Sequence, residues 1–217
     1  MTSRKAVRTI RPADYPGGPM RLALAALPLL LLAPASPTVG DPAPDFSLMD
    51  LGGKSASLKE IRGEGKDAKV VVVDFWSRNC PYSIAWDARL KEIHRDYSTK
   101  GVVLLAIDSN QTEAKEQIAD FVKEKEIPFR VLLDPDSAVA DLYGGKTTPH
   151  CFVIGKDGKL AYIGAVDSNA STPLKSGEGV TNYLRDALDA VLAGKPVATP
   201  TTKAVGCSIK RASKGAY

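Results

Sequence analysis

The chain has 217 residues, 44% of them apolar and 25% charged, with 29 basic against 25 acidic side chains and three cysteines. This is the mix of a globular protein with one full hydrophobic core, and it excludes a disulfide-stapled mini-protein, a collagen-like repeat and a wholly disordered chain. Five of the 29 basic residues (Arg4, Lys5, Arg8, Arg11, Arg21) and one of the 25 acidic ones (Asp14) lie in residues 1–35, leaving 24 of each sign and no basic face for a nucleic acid.

Those first 35 residues read as a unit of their own. Arg21 precedes the apolar run Leu22–Ala33, which ends in Ala33-Pro34-Ala35-Ser36, a small-x-small cleavage pattern. The pattern predicts an export signal cut near Ala35, hence a periplasmic or otherwise extracytoplasmic protein. Met20 offers a second possible start. A membrane-spanning helix needs roughly 20 apolar residues, so a membrane enters only through an uncleaved leader. A globular domain is expected over 36–195, and a Pro/Thr-rich, then basic, tail carrying Cys207 over 196–217.

After the Pro-rich stretch 36–44, Phe46–Met49 and Ser55–Leu58 flank Gly52-Gly53 and predict a hairpin. Lys69–Trp76 is a continuous β-branched run, the mark of a strand buried on both faces. Trp86, Leu90, Ile93 and Tyr97 then form one stripe of a helix. Val102–Ile107 is a second buried strand, followed by a helix through Ile118, Phe121, Val122 and Ile127. Arg130–Leu133 is a third strand, with a short helix over Ala138–Tyr143 behind it. His150–Ile154 and Leu160–Ala165 are joined by Gly155-Lys156-Asp157-Gly158, a second hairpin. The last helix spans roughly Val180–Leu192. This order predicts an α/β fold, a central mixed sheet flanked by helices, with chemistry beyond the C-terminal ends of the parallel strands.

The segment there is Val73-Asp74-Phe75-Trp76-Ser77-Arg78-Asn79-Cys80-Pro81-Tyr82-Ser83. Cys80 stands at the start of a helix, where unpaired N–H groups and partial positive charge favour a thiolate. Pro81 suits the first helical turn. Asp74 interrupts an apolar strand, so burial would raise its pKa and let it exchange protons with the thiol. Arg78 reads as a solvated loop residue and His94 as a surface one. His150 beside Cys151 lacks a second ligand pair, so neither a metal nor a cofactor is indicated.

DFWSRNCPYS resembles the active-site segment of the thioredoxin fold, strand–DFW–x3–C-x-x-C–helix. Thr147-Thr148-Pro149 resembles that fold's cis-proline loop. With PDFSLMDLGGKSASLKEI at the front, the chain resembles the redoxin branch, which holds the TlpA-like and alkyl hydroperoxide reductase/thiol-specific antioxidant proteins. The ending Val205-Gly206-Cys207-Ser208-Ile209-Lys210 resembles the "GCxIK" close of a peroxiredoxin-like subgroup. The resemblance implies a thioredoxin-like fold, Cys80 as the reactive thiol, Asp74 as its proton partner, and a substrate loop of Thr148, Pro149, Trp76 and Pro81. It implies partners that are protein or small-molecule thiols and disulfides, or hydroperoxides, with an external thiol as reductant.

One departure from the pattern matters most. Ser83 fills the second cysteine position, so no disulfide closes within the motif, although its hydroxyl is in place to hydrogen-bond the Cys80 thiolate. Resolution falls to Cys207, delivered by a mobile tail, to Cys151, or to an outside thiol. The peroxiredoxin signature is incomplete: Ser77 fits, but Val73 stands where that family has proline, and Thr148-Pro149 stands where it has an activating arginine. Three readings stay open here: an exported oxidoreductase working through the single motif thiol and mixed disulfides, a one-Cys antioxidant peroxidase, and a redox-inactive binding module.

Overall fold

The computed structural model describes residues 36–169 and 179–211. The expected export signal lies outside them, as do the last six residues of the tail. Among the described residues no helix is long and apolar enough to cross a membrane.

A seven-stranded sheet forms the centre. Its elements are β1 (Ser47–Asp50), β2 (Ser55–Ser57), β3 (Val70–Trp76), β4 (Val102–Asp108), β5 (Arg130–Leu133), β7 (His150–Ile154) and β8 (Leu160–Gly164), in spatial order β2-β1-β5-β4-β3-β7-β8. A separate two-residue strand, β6 (Thr147–Thr148), belongs to a second, smaller sheet. β3, β4 and β5 are parallel, whereas β7 and β8 add antiparallel on one side and β1 and β2 on the other. β3 is central because every one of its residues is buried, as the Val70–Val73 run requires.

Alternation along β3 sends its side chains to two cores. Val70, Val72 and Trp76 pack on α2 (Pro81–Tyr97) through Trp86, Leu90 and Ile93, and on α5 (Tyr183–Leu192) through Leu184 and Leu188. Val71, Val73 and Phe75 pack on the other face against α1 (Leu58–Arg62) and α4 (Ala138–Tyr143). The remaining helix, α3 (Lys115–Glu124), contributes Ile118 to the first core. Each fully buried aliphatic side chain stabilises by roughly 1.5–3 kcal/mol, and truncating Leu90 to alanine costs about 2–5 kcal/mol. The expected hairpin forms from β1 and β2, and the strand expected over 55–58 ends at Ser57, one residue early. The Ser57 side chain accepts a hydrogen bond from the Glu60 N–H at 3.2 Å, and this cap turns the chain into a helix at Leu58.

The tail does not range freely, as its composition led us to expect. Thr202 donates to the Ile163 carbonyl at 3.0 Å, and Ile163 donates to that of Pro200 at 3.0 Å. Farther on, β9 (Cys207–Ser208) pairs antiparallel with β6, in the register Thr147 with Ser208 and Thr148 with Cys207. Ile209 is buried in the second core, and Lys210 is held through both its backbone groups by Asn110 and Gln111. A Pro/Thr-rich tail is thus tied down on both sides of its cysteine.

Candidate active site

β3 and β4 end level with each other, Trp76 beside Asp108, and the chain leaves β3 through Ser77-Arg78-Asn79 into α2. Cys80 is the N-cap of α2 and Pro81 its first residue, where a missing N–H costs nothing. The Cys80 thiol donates to the Thr148 carbonyl at 2.9 Å and is only 2% exposed. Burial opposes its ionisation. Against that, the neighbouring Cys207 thiol and the Ser83 and Cys207 backbone N–H groups favour the thiolate, and the Cys80 pKa lies below the ordinary thiol value.

Cys207 is the neighbour that the motif itself lacks. Its strand lies against Thr148, immediately before the cis Thr148–Pro149 bond, and this brings its thiol beside that of Cys80, where it favours the Cys80 thiolate. Burial and the adjacent Cys80 sulfur push the Cys207 pKa up to about 11, so Cys80 ionises first and Cys207 keeps its proton. Both cysteines are free thiols. Gly206 makes this approach possible, because a Cβ there would stand 2.0 Å from the Thr148 carbonyl oxygen.

The other predicted residues separate into those at the thiol and those beneath it. Thr148 and Pro149 form the loop facing Cys80. Ser83 is fully buried and its hydroxyl has no hydrogen-bond partner, so it serves the sulfur through its backbone N–H instead. Trp76 is buried and donates its indole N–H to Asp87 at 2.8 Å. Asp74 faces Cys151 across β3 and β7, accepting from the Cys151 thiol at 3.4 Å and the His150 N–H at 3.1 Å. No hydrogen bond among the described residues joins Asp74 to Cys80. Burial raises the Asp74 pKa to about 7, and burial with the Asp74 charge lifts that of Cys151 well above a thiol's. Cys151 is therefore an enclosed, protonated thiol held by the acid rather than by Cys80.

Arg78 turns to Gln117 at 2.6 Å and Glu113 at 3.6 Å. Burial and Lys146 push the His150 pKa down to about 4, leaving a neutral ring whose Nδ1 accepts the Lys146 N–H at 3.3 Å.

Sequence reasoning missed several supporting residues. Glu113, its side chain 1% exposed, accepts from the Ser77 hydroxyl and from the Arg78 N–H at 3.1 Å, fixing the loop that presents Cys80. Asp108 beside it is raised to about 7 by burial and by the Glu113 charge. Asp108 also accepts from Asn110, whose side-chain oxygen holds the Lys210 N–H. One polar chain thus links the Cys80 loop to the tail. Asp87, raised to about 6 by burial, is a second carboxylate under the site. None has an apolar period or a motif to announce it. Only Gly206, directly before a cysteine, carried a readable signal.

The AhpC/TSA family matches residues 39–163. Thiol-disulfide oxidoreductase ResA of Bacillus cereus is 32% identical over 122 residues, 56% of this chain. The chain spans 66% of the length of that curated relative. A hypothetical protein from Sinorhizobium meliloti 1021 superposes with a TM-score of 0.71 at 33% identity, covering 82% of this chain and 97% of that one. The thioredoxin domain of a thiol-disulfide oxidoreductase from Bacteroides vulgatus matches with a TM-score of 0.52 at 24% identity, over 59% of this chain and 89% of that one. This last likeness shows the thioredoxin-like fold.

Proposed function

The chain belongs to the AhpC/TSA family, and from that membership we propose an exported thiol–disulfide oxidoreductase in which Cys80 is the low-pKa thiol and Cys207 its partner. The observation that carries this reading is that Cys207 pairs with Thr148, the residue whose carbonyl accepts the Cys80 thiol at 2.9 Å. Cys207 takes the place that Ser83 leaves empty in the motif. A client disulfide is reduced to two thiols as the pair closes, through a mixed disulfide that the second cysteine displaces. An external thiol reductant then reopens the pair. Clients are protein or small-molecule disulfides.

The enclosure of Cys80 favours a small oxidant as a second reading. A hydroperoxide would oxidise Cys80 to the sulfenic acid with release of an alcohol, and Cys207 would condense with it, releasing water. Export rests on the Arg21, Leu22–Ala33 and Ala33-Pro34-Ala35 pattern, and intact mass of the native protein tests it through a chain beginning near Ser36.

Turnover of a protein disulfide with a dithiol reductant tests the activity. Cys80→Ser and Cys207→Ser should each abolish it, because either leaves the pair unable to close. Full turnover by Cys80→Ser would contradict the assignment.

A further inference from the structure

Two thiols form the proposed pair, but solvent reaches them unequally. Cys80 is 2% exposed, closed in by the Thr148 carbonyl at 2.9 Å, the first turn of α2 and the Gly206–Cys207 backbone. Cys207 is partly exposed, as is Val205, and Ser208 beside it is open to solvent. The cover over Cys80 is fastened on both sides of Cys207. Upstream, Thr202 is bonded to Ile163, Tyr162 and Ala165. Downstream, Ile209 donates to Lys146 at 3.2 Å, Lys210 bonds Asn110 and Gln111, and Arg211 reaches Asp141 at 2.7 Å.

We propose that Cys207, on the tail, is the sulfur through which external thiols and disulfides enter and leave, and that Cys80 is the internal partner. This rests on the reading of the two as one redox pair. In the oxidised protein an external thiolate attacks Cys207 Sγ. The new bond joins the external sulfur to Cys207, the Cys80–Cys207 bond breaks, and its electron pair leaves on Cys80 as a thiolate. A second external thiol then displaces Cys207, completing a two-electron reduction of the pair and forming one external disulfide. In reverse, Cys207 passes its proton to the Cys80 thiolate beside it and attacks the client disulfide, releasing one client thiolate. Cys80, deprotonated by that thiolate, then displaces the second client thiolate from Cys207 and closes the pair.

The chemistry favours this direction as well as the access. Exchange is faster when the departing sulfur is the more acidic one. Attack at Cys207 expels Cys80, whose thiolate is favoured by the Ser83 N–H at the start of α2. Attack at Cys80 would expel Cys207, whose burial disfavours its thiolate. The usual assignment, with the motif cysteine as the point of entry, is thus reversed by a tail that covers it.

The test uses the full-length protein without substitution. Oxidised protein is treated briefly with reduced glutathione, quenched in acid, blocked with a maleimide and mapped by peptide mass. Glutathione should be found on Cys207 and maleimide on Cys80, in excess over the opposite pattern by about tenfold or more, given the dependence of exchange on access and leaving-group acidity. Glutathione on Cys80 with maleimide on Cys207 would overturn the proposal while leaving the redox pair intact. Oxidised protein in which Cys80 and Cys207 are not joined would instead overturn the pair itself.

Discussion

Thr148 and Cys207 stand opposite each other across the pairing of β6 and β9, while the Thr148 carbonyl accepts the Cys80 thiol at 2.9 Å. One residue therefore positions both sulfurs, one through its backbone pairing and the other through its carbonyl. Within the motif a second cysteine would sit one helical turn from the first. Here the second thiol comes from a strand laid across the cis-proline loop, and the tail is an integral part of the site.

Gly206 is the residue that lets the strand come so close. An alanine Cβ would lie 2.0 Å from the Thr148 carbonyl oxygen and 2.6 Å from its carbon, so backbone must move. We expect Gly206→Ala to lower the yield of Cys80–Cys207 disulfide by about tenfold under a fixed oxidant, and to raise the alkylation rate of Cys80. Peptide mapping reads both, and an undiminished yield would contradict the close packing.

The acidity of Cys80 depends on its neighbour. Removing the Cys207 thiol takes away a neighbour that favours the Cys80 thiolate. In Cys207→Ala the midpoint of Cys80 alkylation against pH should move upward. A midpoint that stays put would assign the shift to the helix terminus alone.

Asp74 should make stability pH-dependent in a defined sense. Burial raises its folded-state pKa from 3.8 to about 7, so between those values the folded protein holds the extra proton. Stability therefore falls as pH rises through this window, and above it the ionised carboxylate destabilises by a constant amount, on the order of 4 kcal/mol at most. Asp74→Asn, after the cost of a buried amide, should gain about 1–3 kcal/mol near pH 8 and lose about 1–2 kcal/mol near pH 4. Urea unfolding at the two pH values measures this, and an equal effect at both would contradict it.

Glu113 acts on the loop rather than on the sulfur. Its carboxylate accepts from both the Ser77 hydroxyl and the Arg78 N–H, and Glu113→Gln turns one of those acceptors into a donor. A loss of about 1–3 kcal/mol in unfolding free energy is expected, together with slower closure of the Cys80–Cys207 disulfide. Unchanged closure would make the residue structural only.

The elements legible in the sequence are those whose signal is local. β5, α4 and β7 fall on the residues their apolar runs and glycine stops mark, and the α2 stripe of Trp86, Leu90, Ile93 and Tyr97 is buried along its length. α1 was hidden because it starts directly where strand β2, Ser55–Ser57, ends, and only the Ser57 cap marks the change. The Cys80 site was readable from a strand–helix junction and a family resemblance. β6 and β9 were not, since two-residue strands paired across the chain have no period. The Pro/Thr-rich composition of the tail made Cys207 a candidate partner of Cys80, but the Ile209 and Lys210 anchors that hold it there are purely tertiary. The same holds for Asp74, whose partner Cys151 is set by the register of β3 against β7.

The redox state of the two thiols tests the central claim most directly. The native protein is equilibrated across a series of dithiothreitol buffers, and intact mass and peptide mapping follow each step. The account requires one two-electron transition, in which a Cys80–Cys207 disulfide forms with loss of two hydrogens while Cys151 stays a thiol throughout. A disulfide between Cys80 and Cys151, or a Cys80 that becomes oxidised only as an adduct with an external thiol while Cys207 remains free, would contradict it.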